Sequence, residues 1–151
     1  MAKTYQGGGG YPQGPKKHKV TMKEETFLDD INRKFSVNLA EILKKEKKDY
    51  NGYIQCVKKY VEDDARDISA SQLRNIFTKV KKAKEATDLT VLRPKIAYIS
   101  GRTDDKKEGM KRLLFLLDHL IKQIEKQEQT EEFKKFFESI IAYHKYYGGK
   151  E

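Results

Sequence analysis

The sequence predicts an all-α fold, a compact bundle of five or six short helices behind a disordered Gly/Pro/Lys-rich N-terminal arm. Apolar residues recur at helical spacing from Phe27 to Tyr147, no stretch alternates as a half-buried strand does, and the breaks between stripes hold capping and turn residues. The chain has 151 residues, enough for one domain of ordinary size. With 37% hydrophobic and 36% charged residues and a mean hydropathy of −0.85, the apolar side chains must gather on one stripe of each helix to close a core.

Residues 1–22 hold Gly7 to Gly10, Pro12, Gly14 and Pro15 beside the basic cluster Lys16, Lys17 and Lys19. They bury too little apolar area to offset their ordering entropy and read as a disordered basic arm, which leaves residues 23–151 as the single helical domain. After Thr26, the residues Phe27, Ile31, Phe35 and Ile42 fall near one side of a helix running to about Lys48, with Ser36 and Asn38 as points of interruption. Asp49-Tyr50-Asn51-Gly52 is a turn signal, and Ile54, Val57 and Val61 stripe a short helix ending near Asp64.

The next start signal is the strongest in the chain. Ser69 is an N-cap, Gln72 completes a capping box, and Ile68 and Leu73 occupy the positions of a hydrophobic staple, so a helix begins at Ala70. Leu73, Ile76, Phe77, Val80 and Ala83 turn inward; Arg74 and Lys81, seven residues apart, share one flank, with Lys82 farther round. Asp88 caps a segment in which Leu89, Leu92, Ile96 and Ile99 share a face, Pro94 kinks or restarts it, and Gly101 stops it. Thr103 to Gly109 is a charged loop.

From Met110 to Gln127 the stripe is Leu113, Leu117, Leu120 and Ile124, widened by Leu114 and Ile121. Phe115 and His119, one turn apart, lie on another face beside Arg112. An apolar pair left in solvent is adhesive, which makes Phe115 and His119 candidates for a contact with another subunit; the alternative is that Phe115 packs beneath the first helix of its own chain. The last helix starts after Thr130 with Glu131 and Glu132 in its first turn. Phe133, Phe136, Phe137, Ile140, Tyr143, His144 and Tyr147 form its aromatic stripe, and Gly148-Gly149 ends it.

The formal charge of +9 is unevenly spread. Residues 1–23 carry five lysines and no acid, 24–68 nine bases against eleven acids, 69–102 eight against two, and 103–151 ten against ten. Segregation of this kind suits a polyanion-binding face, because phosphate contacts dominate nucleic-acid affinity. No apolar run approaches the roughly 20 residues that span a bilayer, and no secretory h-region opens the chain, so a cytoplasmic protein with no membrane partner is expected. The single cysteine, Cys56, agrees with a reducing compartment and excludes an internal disulfide or a cysteine-based zinc site.

Phosphate-cradling Gly-rich loops ending in Lys-Ser/Thr, nucleophile elbows, paired zinc-binding histidines and calcium loops are all missing from the sequence, and no cofactor is expected. Of the three histidines, His18 sits in the arm and His144 on an apolar stripe, where a packed, hydrogen-bonded imidazole is the stronger reading. Glu62, Asp63, Asp64 and Asp67 resemble a metal cluster but read better as a solvated connector between helices.

Three blocks, in order, identify a family: ISASQLRNIF at 68–77, LRPKIAYISGR at 92–102 and IIAYHKYYGG at 140–149. Together they resemble the small subunit of type III-A CRISPR effector complexes, the second subunit of the Csm set, over roughly residues 53–149. The resemblance implies a non-catalytic all-α bundle. It implies several copies stacked head to tail, alongside the other subunits, facing the duplex of CRISPR RNA and target RNA. It also puts forward Arg74, Arg93, Lys95 and Arg102 as RNA-facing positions, joined by Lys81 and Lys82 from the charge pattern; for each, a structural ion pair or helix-end charge is the competing role. Tyr98 and Tyr146 have the chemistry to stack on bases, though core or interface packing competes. Two alternatives have other origins. A basic DNA-binding regulator would use the helices from Tyr53 and Ala70 as a helix-turn-helix, against which the acidic connector counts. A metal-free ribonuclease would rest on His119 and His144.

Overall fold

A computed structural model describes residues 25–33, 39–104 and 106–149; the expected arm at 1–22 and Phe35 lie outside the described residues. Helix α1 spans residues 25–33, followed by a 3-10 turn at Leu39–Leu43. Helix α2 (Tyr50–Tyr60) continues into a π-helical turn (Val61–Ala65); α3 is Ala70–Lys81, α4 Ala86–Thr90, α5 Arg93–Arg102, α6 Glu108–Gln123 and α7 Gln127–Tyr146. No strand occurs among the described residues, and the fold is the expected all-α bundle. Among those residues no helix is long and apolar enough to cross a membrane.

Helix α7 is the axis of the bundle: it packs against the 3-10 turn, α2, the π turn, α3 and α4, while α6 packs against α5, α4 and the π turn. Its stripe explains this position. Phe133, Phe136, Phe137 and Ile140 are all buried, and three aromatic rings within two turns give one helix a large apolar area to bury. The apolar stripe of α6 is likewise buried: Leu113, Leu114, Leu117, Leu120 and Ile121 all face the core, and Met110 and Leu116 extend it.

Several element boundaries differ from those the sequence predicts, each for a local reason. The helix expected to run from Phe27 to Lys48 is not continuous, since residues 39–43 form a 3-10 turn and 44–49 are irregular; Phe27, Ile31 and Ile42 are nonetheless all buried. Asp49 is an N-cap rather than part of a free turn: its carboxylate accepts from the Gly52 amide at 3.0 Å and starts α2 at Tyr50. Tyr53 and Tyr60 therefore join Val57 on the buried side, whereas Ile54 is half-buried. Ser69 caps α3 as expected, accepting from the Gln72 amide at 3.4 Å. Asp88 caps α4 from inside its first turn, accepting from the Lys84 and Glu85 amides at 2.9 and 3.0 Å; those two bonds hold its carboxyl below the usual range. Pro94 sits in the first turn of α5, where its missing N–H is not needed, so it restarts the chain rather than kinking it. Helix α7 begins before Thr130, because the Gln129 side chain accepts from the Glu125 and Lys126 amides at 2.8 and 3.0 Å; Thr130 and Glu132 are buried within the helix.

Gly101 does not stop α5. The helix runs through it to Arg102, and a Cβ placed there meets nothing within 4 Å. Gly101→Ala is therefore expected to stabilise the fold by about 0.5–1 kcal/mol, from helix propensity alone, and a denaturant midpoint that falls would show the position to be constrained.

The end of α7 does use its glycines. Gly148 adopts φ 66°, and the Gly149 and Gly148 amides donate to the His144 and Lys145 carbonyls at 2.8 and 3.0 Å, a Schellman closure. Beneath it the buried His144 imidazole lies 2.7 Å from the Ile68 carbonyl; a carbonyl oxygen only accepts, so Nε2–H is the donor. The expected packed, hydrogen-bonded histidine thus joins the block at 140–149 to the block at 68–77.

Candidate nucleic-acid interface

The bases of the 69–102 segment are distributed over two surfaces of α3, two of α5 and the stretch between α3 and α4. Helical spacing puts Gln72, Asn75 and Lys79 on one flank of α3, facing α5 across a cleft; Lys95, Tyr98 and Arg102 line its other side. The cleft encloses about 400 Å³ between Gln72, Asn75, Tyr98 and Lys107, at the start of α6. Tyr98 is 57% exposed, and both the Lys95 ammonium and the Arg102 guanidinium lie over its ring, at 5.7 and 5.6 Å from the centroid. Asp104 brings a carboxylate to the same cleft, with Oδ1 accepting from the Lys106 amide at 2.9 Å.

Arg74 and Lys81 are exposed on the opposite flank of α3, the side where Phe77 meets the Phe137 ring of α7 at 5.4 Å; Lys82 is exposed just past the helix end. They do not share the cleft with Lys95 and Arg102. Arg93 is engaged elsewhere: its Nε and Nη2 donate to the two Asp118 carboxylate oxygens of α6 at 2.7 and 3.5 Å, which raises its pKa and fits the competing role of a structural ion pair. Sequence reasoning missed Lys79, Asn75, Gln72 and Lys107. The first three were accessible to it, since the spacing of 72, 75 and 79 marks a single polar flank.

A second cation–aromatic cluster closes the far end of α7. Tyr146, exposed, packs edge-on to Tyr143 and Tyr147, with Lys58 5.2 Å above the Tyr146 ring and Arg66 5.9 Å from that of Tyr147. These contacts brace α2 and the π turn against α7.

Phe115 is half-buried, its ring 6.4 Å from that of Phe27 in α1 and stacked at 5.9 Å on His119. The face considered for another subunit is thus partly covered by the chain's own first helix. Arg112 strengthens that docking: Nη1 reaches Asp30 of α1 at 3.4 Å and Asp64 of the π turn at 3.6 Å, with the guanidinium 5.3 Å over Phe27. Phe115→Asp is expected to weaken α1 docking and destabilise the fold by about 1–3 kcal/mol, read as a lower melting temperature; an unchanged melt would show that α1 does not need this ring. His119 Nε2 accepts from the Gln123 side-chain Nε2 at 2.8 Å, and burial first, then Lys122, depresses its pKa, against the opposing pull of Asp118. Of the acidic connector, Asp63 pairs with Lys59 at 3.3 Å and Asp64 with Arg112, so these two carboxylates serve ion pairs within the bundle.

Fold and surface together define a small all-helical domain in which the segment with the largest excess of bases over acids, 69–102, contributes α3 and α5. The family model for Csm2 Type III-A matches residues 47–150 of the 151, and the chain belongs to that family, the small subunits of type III-A CRISPR effector complexes. Helix α1 lies outside the matched segment. No curated protein and no solved structure matches the chain.

Proposed function

We propose that this chain is a non-catalytic, cytoplasmic small subunit that stacks in several copies within its effector complex. It contacts the duplex of CRISPR RNA and target RNA through basic residues of α3 and α5. The observation that carries this reading is the cleft: the most basic stretch of the chain, eight bases against two acids in 69–102, folds so that Lys95 and Arg102 flank an exposed tyrosine, with Lys79 beside Lys95 in the adjoining recess. Arg74 and Lys81 on the far flank of α3, with Lys82 just past the helix end, offer a second set of phosphate contacts. Arg93 holds α5 to α6 through Asp118, the structural role that competes with RNA contact at this position.

The arrangement of the histidines supports the absence of catalysis. General acid–base cleavage of RNA needs two groups converging on one phosphodiester. His144 is 4% exposed and committed to the Ile68 carbonyl, out of reach of any substrate.

Purified full-length chain, incubated with labelled single-stranded RNA with and without divalent metal, is expected to leave the RNA intact. Metal-independent cleavage would favour the ribonuclease, and sequence-specific binding to duplex DNA would favour the regulator.

A further inference from the structure

We propose that the cleft between α3 and α5 holds one unpaired nucleotide of RNA, its base stacked on Tyr98 and its phosphates held by Lys95 and Arg102. This rests on the RNA-contact reading above and specifies which part of an RNA the site takes.

The geometry favours an unstacked base over a stretch of duplex. In a paired helix each base has both faces covered by its neighbours, so a tyrosine can stack only on a base that has left the helix. Tyr98 offers such a surface: it lines the cleft and is more than half exposed, and the two cations now over its ring are long flexible side chains that can swing to the phosphates as a base stacks. The opening, about 400 Å³, suits a single nucleotide, while a duplex is far too broad to enter between two helices.

The chemistry around the ring is also that of a nucleotide. Lys95 and Arg102 stand one turn before and one turn after Tyr98 on α5, so a phosphate on either side of the stacked base has a cation within reach. Across the cleft, the side-chain amides of Gln72 and Asn75 each present a donor and an acceptor, the groups that pair with base edges freed from Watson–Crick partners. Two basic residues alone would specify only a backbone. The aromatic surface and the facing amides add the base.

The test uses the assembled complex containing the full chain, with 5-iodouridine placed at one position at a time along its RNA strands. Irradiation is expected to give a cross-link to Tyr98 from at least one position, absent in Tyr98→Ala and retained in Tyr98→Phe. Tyr98→Ala is further expected to weaken binding of single-stranded RNA by about tenfold without changing its salt dependence, because no charge is removed. If no position cross-links to Tyr98 and Tyr98→Ala binds as the parent does, the stacking site is wrong. In that event a reduced salt dependence in Lys95→Gln would leave the backbone-contact reading standing, and an unchanged one would remove both.

Discussion

Glu132→Ala is expected to destabilise the domain by about 3–5 kcal/mol, the range for removing one partner of a buried ion pair. The Lys47 and Glu132 side chains are 2% and 4% exposed and meet at 3.0 Å. Lys47 also donates to the Lys44 carbonyl and lies 4.6 Å over the Tyr53 ring, while Lys135 reaches the second Glu132 oxygen at 3.4 Å. Removing the carboxylate leaves an ammonium buried against aromatic rings with its main counter-charge gone. Lys47→Met with Glu132→Leu should recover much of the loss, since the desolvation of both charges disappears with their attraction. Urea denaturation of the three chains measures this; a single variant within about 1 kcal/mol of the parent would mean that water reaches the pair.

The second large effect is expected at Gly149. A Cβ there would overlap Cε1, Nε2 and Nδ1 of the His144 ring, which is buried and has no free end to swing aside. Gly149→Ala must therefore either open the closure of α7 or push His144 off the Ile68 carbonyl, leaving a buried acceptor unpaired, at about 2–4 kcal/mol. His144→Ala tests the same linkage from the other side, and the double variant should lose little more than the worse single one. Additive losses would show the two residues to be independent.

These two sites explain which features were legible in the sequence. The stripes of α6 and α7, the cap at Ser69 and the packed state of His144 follow from short-range spacing and local chemistry, and a single chain displays both. The ion pair of Lys47 and Glu132 joins residues 85 apart, and nothing local marks either as buried. Glu132 read as a first-turn acid because Thr130 looked like the start of the helix; the Gln129 side chain, reaching back to two amides, moves that start upstream. Gly101 read as a stop because glycine is common at helix ends, yet the turn it occupies has room to continue. Among the candidate RNA-facing residues, sequence order placed Arg93, Lys95 and Arg102 together, whereas the partner that ties Arg93 down, Asp118, is supplied by a different helix. The docking of Phe27 on Phe115 is equally non-local, and it joins a helix outside the family match to one inside it.

An RNA-facing role for α3 and α5 is tested most directly by the salt dependence of target-RNA binding to the assembled complex, measured for the parent chain, for Lys95→Gln with Arg102→Gln, and for Arg74→Glu with Lys81→Glu. For every phosphate no longer neutralised, the plot of log affinity against log salt should flatten by about 0.7–0.9 units, with melting temperatures and subunit stoichiometry maintained. The cleft pair is predicted to lower both the affinity and the slope. Folded, fully assembled complexes whose slopes equal that of the parent in both variants would contradict an RNA-facing role for α3 and α5.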